Sequence, residues 1–273
     1  MAARKALADR LVEIRKDAGL SGHELSVRCG WHAAKTSRIQ SGKAAPTDAD
    51  IRAWCAACGA EDQVADLIAT VRATDSMYVE WRRRHRTGLR RAQERLISGY
   101  EETSLFRIYV SNVVPGFFQT PEYATALMGA VIDFHETPDD VAEAVSARTA
   151  RSRLIHERGH RFAVLIEEWV LRSQIGDVAT MTGQLRHLLS LMPLASVSLG
   201  IIPFTGRRKV WPLEAFYLFD DRRVAVENLT AKINVVQPRE IVEYAKAFNE
   251  LSGMAVYGSR ARALITEAIE ALR

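Results

Sequence analysis

Leu7, Leu11 and Ile14 recur at spacings of four and three residues, which puts them on one face of a helix that Gly19 ends. Ser21 followed three residues later by Glu24 is a capping-box pattern; Leu25 supplies an apolar position and Gly30 a left-handed turn, so a second, short helix runs to about Cys29. A third helix is predicted over 33–40, with Thr36 and Ile39 facing inward and Gly42 just past its end. Pro46-Thr47-Asp48 opens a fourth around Ile51, Trp54, Cys55 and Cys58. Gly59 breaks it before a fifth around Val64, Leu67, Ile68 and Val71. Five short helices thus fill about 75 residues.

From Asp75 to about Leu96 the pattern stays helical, which predicts a connecting helix. The run from Pro115 to Tyr123 reads as a turn, after which Thr120 caps a helix with Pro121 at its first position. Helices are expected to dominate up to about Glu157. Short β-rich runs follow at 162–167, 196–202, 215–219, 224–228 and 231–236, punctuated by helical patterns around 181–191, 240–251 and 260–272. The fold class expected is α+β: an all-α head over 1–75, a basic connecting helix over 76–98, and an α+β domain over 99–273 whose four or five strands are covered by helices.

A chain of 273 residues, 48% hydrophobic, has enough apolar material for two cores. Its first residues carry no leader-like apolar run, and no stretch approaches the roughly 18 apolar residues of a membrane span. Three cysteines, Cys29, Cys55 and Cys58, do not make a disulfide framework, which points to a reducing cytoplasm. The net charge of +4 is concentrated: residues 80–95 hold seven arginines against two glutamates. Those arginines, Arg82, Arg83, Arg84, Arg86, Arg90, Arg91 and Arg95, fit phosphate contacts, an acidic partner protein or a solvated helix face equally well.

The second and third helices meet the demands of a helix-turn-helix: a tight turn at Gly30, the small Ser26 at the helix contact, Trp31 at the corner and a polar, basic outer face. On that face Arg38 is the candidate for bidentate pairing with guanine, Ala33 or Ala34 for a thymine methyl, and His32, Lys35 and Lys43 for phosphates, with Ser37 beside them. The expected partner is double-stranded DNA, bound by a homodimer on a two-fold operator.

The stretch Ala18-Gly19-Leu20-Ser21-Gly22-His23-Glu24-Leu25, with Lys35-Thr36-Ser37-Arg38-Ile39-Gln40-Ser41-Gly42, resembles the phage-repressor and Xre type of DNA-binding domain. Downstream, Val114-Pro115-Gly116-Phe117-Phe118-Gln119-Thr120-Pro121-Glu122-Tyr123-Ala124 is similar to a signature of the effector domain in WhiJ-like actinobacterial regulators, as are Glu168 with Leu171-Arg172, Gln184-Leu185 with Leu188-Leu189, and Ile202-Pro203-Phe204. The resemblance spans nearly the whole chain. It implies a transcriptional regulator, a repressor in the simplest form, often encoded beside a small acidic protein in a toxin-antitoxin-like setting. Gln40 stands where the repressor pattern usually has Glu, and Ala33 and Ala34 replace a more polar pair, so operator preference does not carry over. The effector domain is expected to receive a small-molecule signal or a small acidic partner, with Arg82, Arg83, Arg86, Phe117, Phe118, Gln119, Tyr123, Glu168 and Arg172 as candidates. Several have structural readings: the phenylalanines as core, Glu168 with Arg172 as an i,i+4 ion pair. The alternative is an antitoxin-like module whose main activity is sequestering a partner.

Three motifs point elsewhere. His156-Glu157-Arg158-Gly159-His160 fits the zinc-hydrolase pattern His-Glu-x-x-His, but Gly159 interrupts the helix where the ligands need it. Cys55 and Cys58, with Cys29 and His32, have the residue types of a zinc site but sit on an amphipathic helix as small core residues. Ser41-Gly42-Lys43 lacks the first glycine of a phosphate-binding loop. No catalytic residue, cofactor or metal is expected.

Overall fold

The computed structural model describes residues 2–73, 78–80, 97–136, 139–229 and 231–272. Two compact units emerge: Met1–Met77 with Val235–Ile241, and Tyr78–Asn234 with Val242–Arg273.

In the first unit, α1 (Ala2–Asp17), α2 (Gly22–Arg28), α3 (Ala33–Gln40), α4 (Asp48–Cys58) and α5 (Val64–Ala73) surround one core. The apolar stripes meet as their periodicity demands: Leu7, Leu11, Ile14, Leu25, Ile39, Ile51 and Trp54 are all buried in it. Trp54 fills the centre and its indole N–H donates to the Leu11 carbonyl at 3.0 Å, so the polar edge of the ring is satisfied in the interior. Thr47 and Asp50 form the capping box that starts α4, and Gly59, with φ 67°, ends it. Each such cap stabilises its helix by about 1 kcal/mol. The segment 235–241, expected with the second domain, belongs to this unit: the Arg239 guanidinium pairs with Asp62 and Asp66, and Gln237 donates to Thr70 Oγ1 at 3.2 Å.

The second unit is built on a seven-stranded sheet: β1 (Tyr78–Glu80), β2 (Leu105–Val110), β3 (Arg161–Glu167), β4 (Val197–Ile202), β5 (Phe216–Phe219), β6 (Arg223–Glu227) and β7 (Ala231–Val235). The spatial order is β1-β7-β6-β5-β2-β3-β4. β2, β3 and β4 run parallel, with Phe106 opposite Phe162 and Val164 opposite Leu199, while β5 pairs antiparallel with β2 and β6 with β5. Parallel neighbours need crossover connections. α7 (Pro121–His135) and α8 (Val141–Ser152) link β2 to β3, and α9 (Glu168–Arg172) and α10 (Val178–Leu191) link β3 to β4. A short α6 (Ile97–Glu101) precedes β2, and α11 (Pro238–Met254) and α12 (Gly258–Glu270) close the chain. The α+β architecture is therefore as expected.

Two expectations are corrected. The region before residue 157, where helices are expected to dominate, also contains β2, a central strand with Phe106, Ile108, Tyr109 and Val110 at 1% exposure or less. Its aromatic and β-branched run Leu105-Phe106-Arg107-Ile108-Tyr109-Val110 suits a pleated, doubly covered strand and is too short to sustain an isolated helix. The connecting helix expected from 75 is interrupted at Tyr78–Glu80, which pair antiparallel with β7, Tyr78 opposite Ile233; residues 81–96 lie outside the described residues.

Candidate nucleic-acid interface

α2 and α3 form the helix-turn-helix. Ser21 accepts from the Glu24 backbone N–H at 3.2 Å, and the Glu24 carboxylate accepts from the Ser21 N–H at 2.7 Å. Hydrogen bonding from the Ser21 backbone N–H, and then from its side chain, holds the exposed Glu24 carboxyl below the usual carboxylate range. The turn closes through the Trp31 N–H to Ser26 carbonyl bond at 2.8 Å, with Gly30 at φ 66°, where a side chain would be strained. Between the two helices the Ser26 and Thr36 hydroxyls lie 2.7 Å apart, both 2% exposed, and Ser26 also donates to the Gly22 carbonyl at 2.8 Å. Since a hydroxyl carries one hydrogen, Ser26 gives its own to Gly22 and Thr36 supplies the inter-helix bond. That buried bond fixes the crossing of the two helices and hence the aim of α3.

α3 turns His32, Ala33, Ala34, Ser37 and Arg38 outward; all five are exposed, as is Lys43 beyond the helix end. Among the described residues the exposed Arg38 side chain makes no hydrogen bond, ion pair or ring contact, so its donors are not engaged by them. Lys35 is different. Its ammonium lies 2.6 Å from Asp50 Oδ1 and 4.4 Å from the centroid of the Trp31 ring, which is itself tilted against Trp54. Burial alone would raise the Asp50 carboxyl, but the hydrogen bonds from Lys35 and Thr47 outweigh it and hold the group below its usual value. Lys35, half-exposed, is thus paired with Asp50 in the absence of DNA. Asp50 is the residue that sequence reasoning missed; the capping pattern from Thr47 to Asp50 was its signal, because the cap bond at 3.1 Å holds the carboxylate in Lys35's reach.

The candidates of the second unit fall into four groups. Phe117, Phe118 and Tyr123 are core: Phe117 meets Phe106 edge-on at 5.1 Å, and the Tyr123 hydroxyl accepts from the Val114 N–H at 3.4 Å. They hold the turn and offer no surface. Gln184, fully buried, completes that turn by accepting from the Thr120 N–H at 2.8 Å and donating to the Phe118 carbonyl at 2.7 Å. Glu168, also buried, accepts from Arg172 at 3.0 Å and from the Phe204 N–H at 3.0 Å, which is the structural i,i+4 reading. Gln119 is buried, donates to the Val114 carbonyl at 2.7 Å and accepts from Arg148 at 2.6 Å. Arg82, Arg83 and Arg86 lie outside the described residues.

The motifs for other chemistry are dispersed. His156 follows a 3₁₀ turn, Gly159 adopts φ 101°, and His160 Nδ1 lies 2.7 Å from the Thr103 carbonyl, so the two histidines do not share a helix face. Burial pushes the thiols of Cys29, Cys55 and Cys58 up, Cys55 to about 11, disfavouring the thiolates that metal or redox chemistry requires. Gly42 ends α3 at φ 68° rather than opening a phosphate loop. Among the described residues no helix is long and apolar enough to cross a membrane.

Residues 6–68 match a family described as a helix-turn-helix domain, the span whose geometry is given above, and residues 95–267 match a domain of unknown function, DUF5753. The chain belongs to the DUF5753 family. Its helix-turn-helix head makes it a DNA-binding protein. No curated protein matches this DUF5753 chain. A solved structure of TrmBL2, an archaeal chromatin protein, is similar at 13% identity over 92% of this chain and 100% of that one, with a TM-score of 0.35, too low an agreement to carry an argument.

Proposed function

We propose that the protein is a sequence-specific transcriptional repressor that binds a two-fold operator as a homodimer, reading the major groove with α3, and that its second unit receives the controlling signal, a small molecule or a small acidic partner protein. The observation that carries the reading is the division of labour on α3: Arg38 and Ser37 are presented to solvent, with Ala33 and Ala34 leaving room for base edges, while Lys35 is consumed in orienting the helix. A single short helix makes few base contacts, so two heads spaced by about one helical turn, roughly 34 Å, supply the affinity. Arg38 pairs with guanine, Lys43 and His32 with phosphate.

The experiment is binding to the DNA upstream of the protein's own gene, wild type against Arg38→Ala, at several salt concentrations. Selection of a short inverted repeat by the wild type, lost in the variant with the salt dependence nearly kept, supports the reading. Equal binding to every sequence overturns it in favour of a protein-sequestering module.

A further inference from the structure

Lys35 stands at the edge of the outward face of α3. Three residues on, Arg38 is its surface neighbour at helical spacing, while Thr36 and Ile39 on its other side are buried. Two cations so placed would both be drawn to a duplex, yet the fold treats them differently. Arg38 is left to solvent. Against Lys35, α4 brings Asp50, whose Oδ1 lies 2.6 Å from the ammonium. The other oxygen, Oδ2, accepts from the Thr47 N–H at 3.1 Å, and the Asp50 N–H donates to Thr47 Oγ1 at 3.2 Å. The carboxylate is thus engaged at both oxygens, and its side chain is only 13% exposed. The ammonium also stands over Trp31, 4.4 Å from the ring centroid, and that ring leans on the buried Trp54 with centroids 6.2 Å apart. Lys35, with 40% of its side chain exposed, is therefore held by the corner of the helix-turn-helix and by the start of α4.

A lysine ammonium is a point charge that any phosphate satisfies, whereas the arginine fork also matches a base edge. Each cation that reaches a phosphate adds affinity for every sequence alike. For Lys35 to do so it must leave Asp50, and that would strand a largely buried carboxylate beside the polyanion, a costly arrangement. We propose that the Lys35–Asp50 pair stays closed on DNA, and that Asp50 is a positioning residue that withholds Lys35 from the phosphates and so holds down sequence-independent binding. The inference rests on α3 being the helix that faces the duplex. Its test uses DNA of random sequence, so it is read separately from the operator selectivity assigned to Arg38.

The test is binding of the full chain to a short, fluorescently labelled duplex of random sequence over a series of salt concentrations. Asp50→Asn keeps an acceptor for the Thr47 N–H and loses the charge that holds Lys35. It should bind about fivefold tighter or more at low salt and steepen the plot of log affinity against log salt by about one unit, the effect of one added phosphate contact. Asp50→Asn combined with Lys35→Met restores the wild-type net charge and should restore the wild-type affinity and slope. Glu61→Gln makes the same change of charge at an exposed residue outside α3 and α4, and should leave the slope within a few tenths of a unit of the wild type. A carboxylate that merely braces α4 would give weaker binding in Asp50→Asn, the opposite sign. If Asp50→Asn does not fold, Lys35→Met alone carries the test, with a slope close to the wild type expected. The proposal is overturned if Asp50→Asn binds no tighter, if Glu61→Gln acts as strongly, or if either variant carrying Lys35→Met loses about one unit of slope, which would mean that Lys35 leaves Asp50 for a phosphate. A wild type that binds no duplex at all overturns the reading of α3 itself.

Discussion

Arg38 in the head and Arg148 in the second unit carry the same side chain under opposite conditions. Arg38 lies in the last turn of a short helix whose inner face is locked by the Ser26 and Thr36 hydroxyls, and it is exposed to solvent. Arg148 is drawn into the domain, held by Gln119 and set beside Arg151. The difference teaches where each guanidinium is kept: that of Arg38 on an exposed helix face suited to the groove of a duplex, that of Arg148 inside the fold of the second unit, shielded from water. Lys35, which the sequence groups with Arg38, stands between the two: half-exposed, but already engaged by Asp50 and Trp31.

The sharpest way to probe the inward-facing side is Glu167→Ala. Glu167 is 1% exposed, accepts from the Tyr109 hydroxyl at 2.8 Å and pairs with Arg208, and burial together with Glu167 raises the Tyr109 phenol well above its usual value. Removing the carboxylate strands both donors, so urea denaturation should show a loss of about 3 kcal/mol, the lower part of the range for broken buried pairs because Arg208 is partly solvated. A loss under about 1 kcal/mol, the size of an exposed pair, would break the contrast. Next in size is Arg38→Ala, expected to cost about 1 to 3 kcal/mol in operator selectivity while changing stability by less than about 0.5 kcal/mol. Competition binding and thermal melting check the two halves, and a variant that melts early would place Arg38 among the structural arginines. Thr36→Val removes the inter-helix hydroxyl bond and should destabilise the head by about 1 kcal/mol, read by hydrogen exchange in α2 and α3.

The smallest effect concerns pH. Asp50 has a folded-state pKa below its unfolded value, so its contribution to stability is fully present above the ordinary carboxylate pKa of about 3.9 and is lost as the pH falls through the lowered value. Asp50→Asn should therefore flatten the acid limb of the head's stability profile by about 0.5 kcal/mol or less and free Lys35 for solvent. An unchanged acid limb would show that the pair with Lys35 contributes nothing.

The head was legible because its information is local. Capping pairs three residues apart, glycines at left-handed turns and apolar positions at helical spacing are short-range constraints, and they placed α2, α3 and α4 to within a residue or two. Five strands of the second unit were legible for the same reason, as β-rich runs between turn signals. β2 was not, because a six-residue strand buried on both sides lacks the alternation that marks a half-exposed one, and helical patterns flank it. For Phe117 and Phe118 the sequence offered both a core and a binding reading, and only the packing against Phe106 and Phe162 decides for the core.

What the sequence determined by itself is the helix-turn-helix, its outward helix and the α+β class of the remainder, since each follows from periodicity and caps within a few residues. What only the tertiary structure decided is which charges remain available. Lys35 meets Asp50 fifteen positions away, Glu167 meets Arg208 forty-one away, and Gln119 meets Arg148 twenty-nine away. Whether a charged side chain is spent on the fold or left for a ligand depends on such distant partners, and no local pattern encodes them.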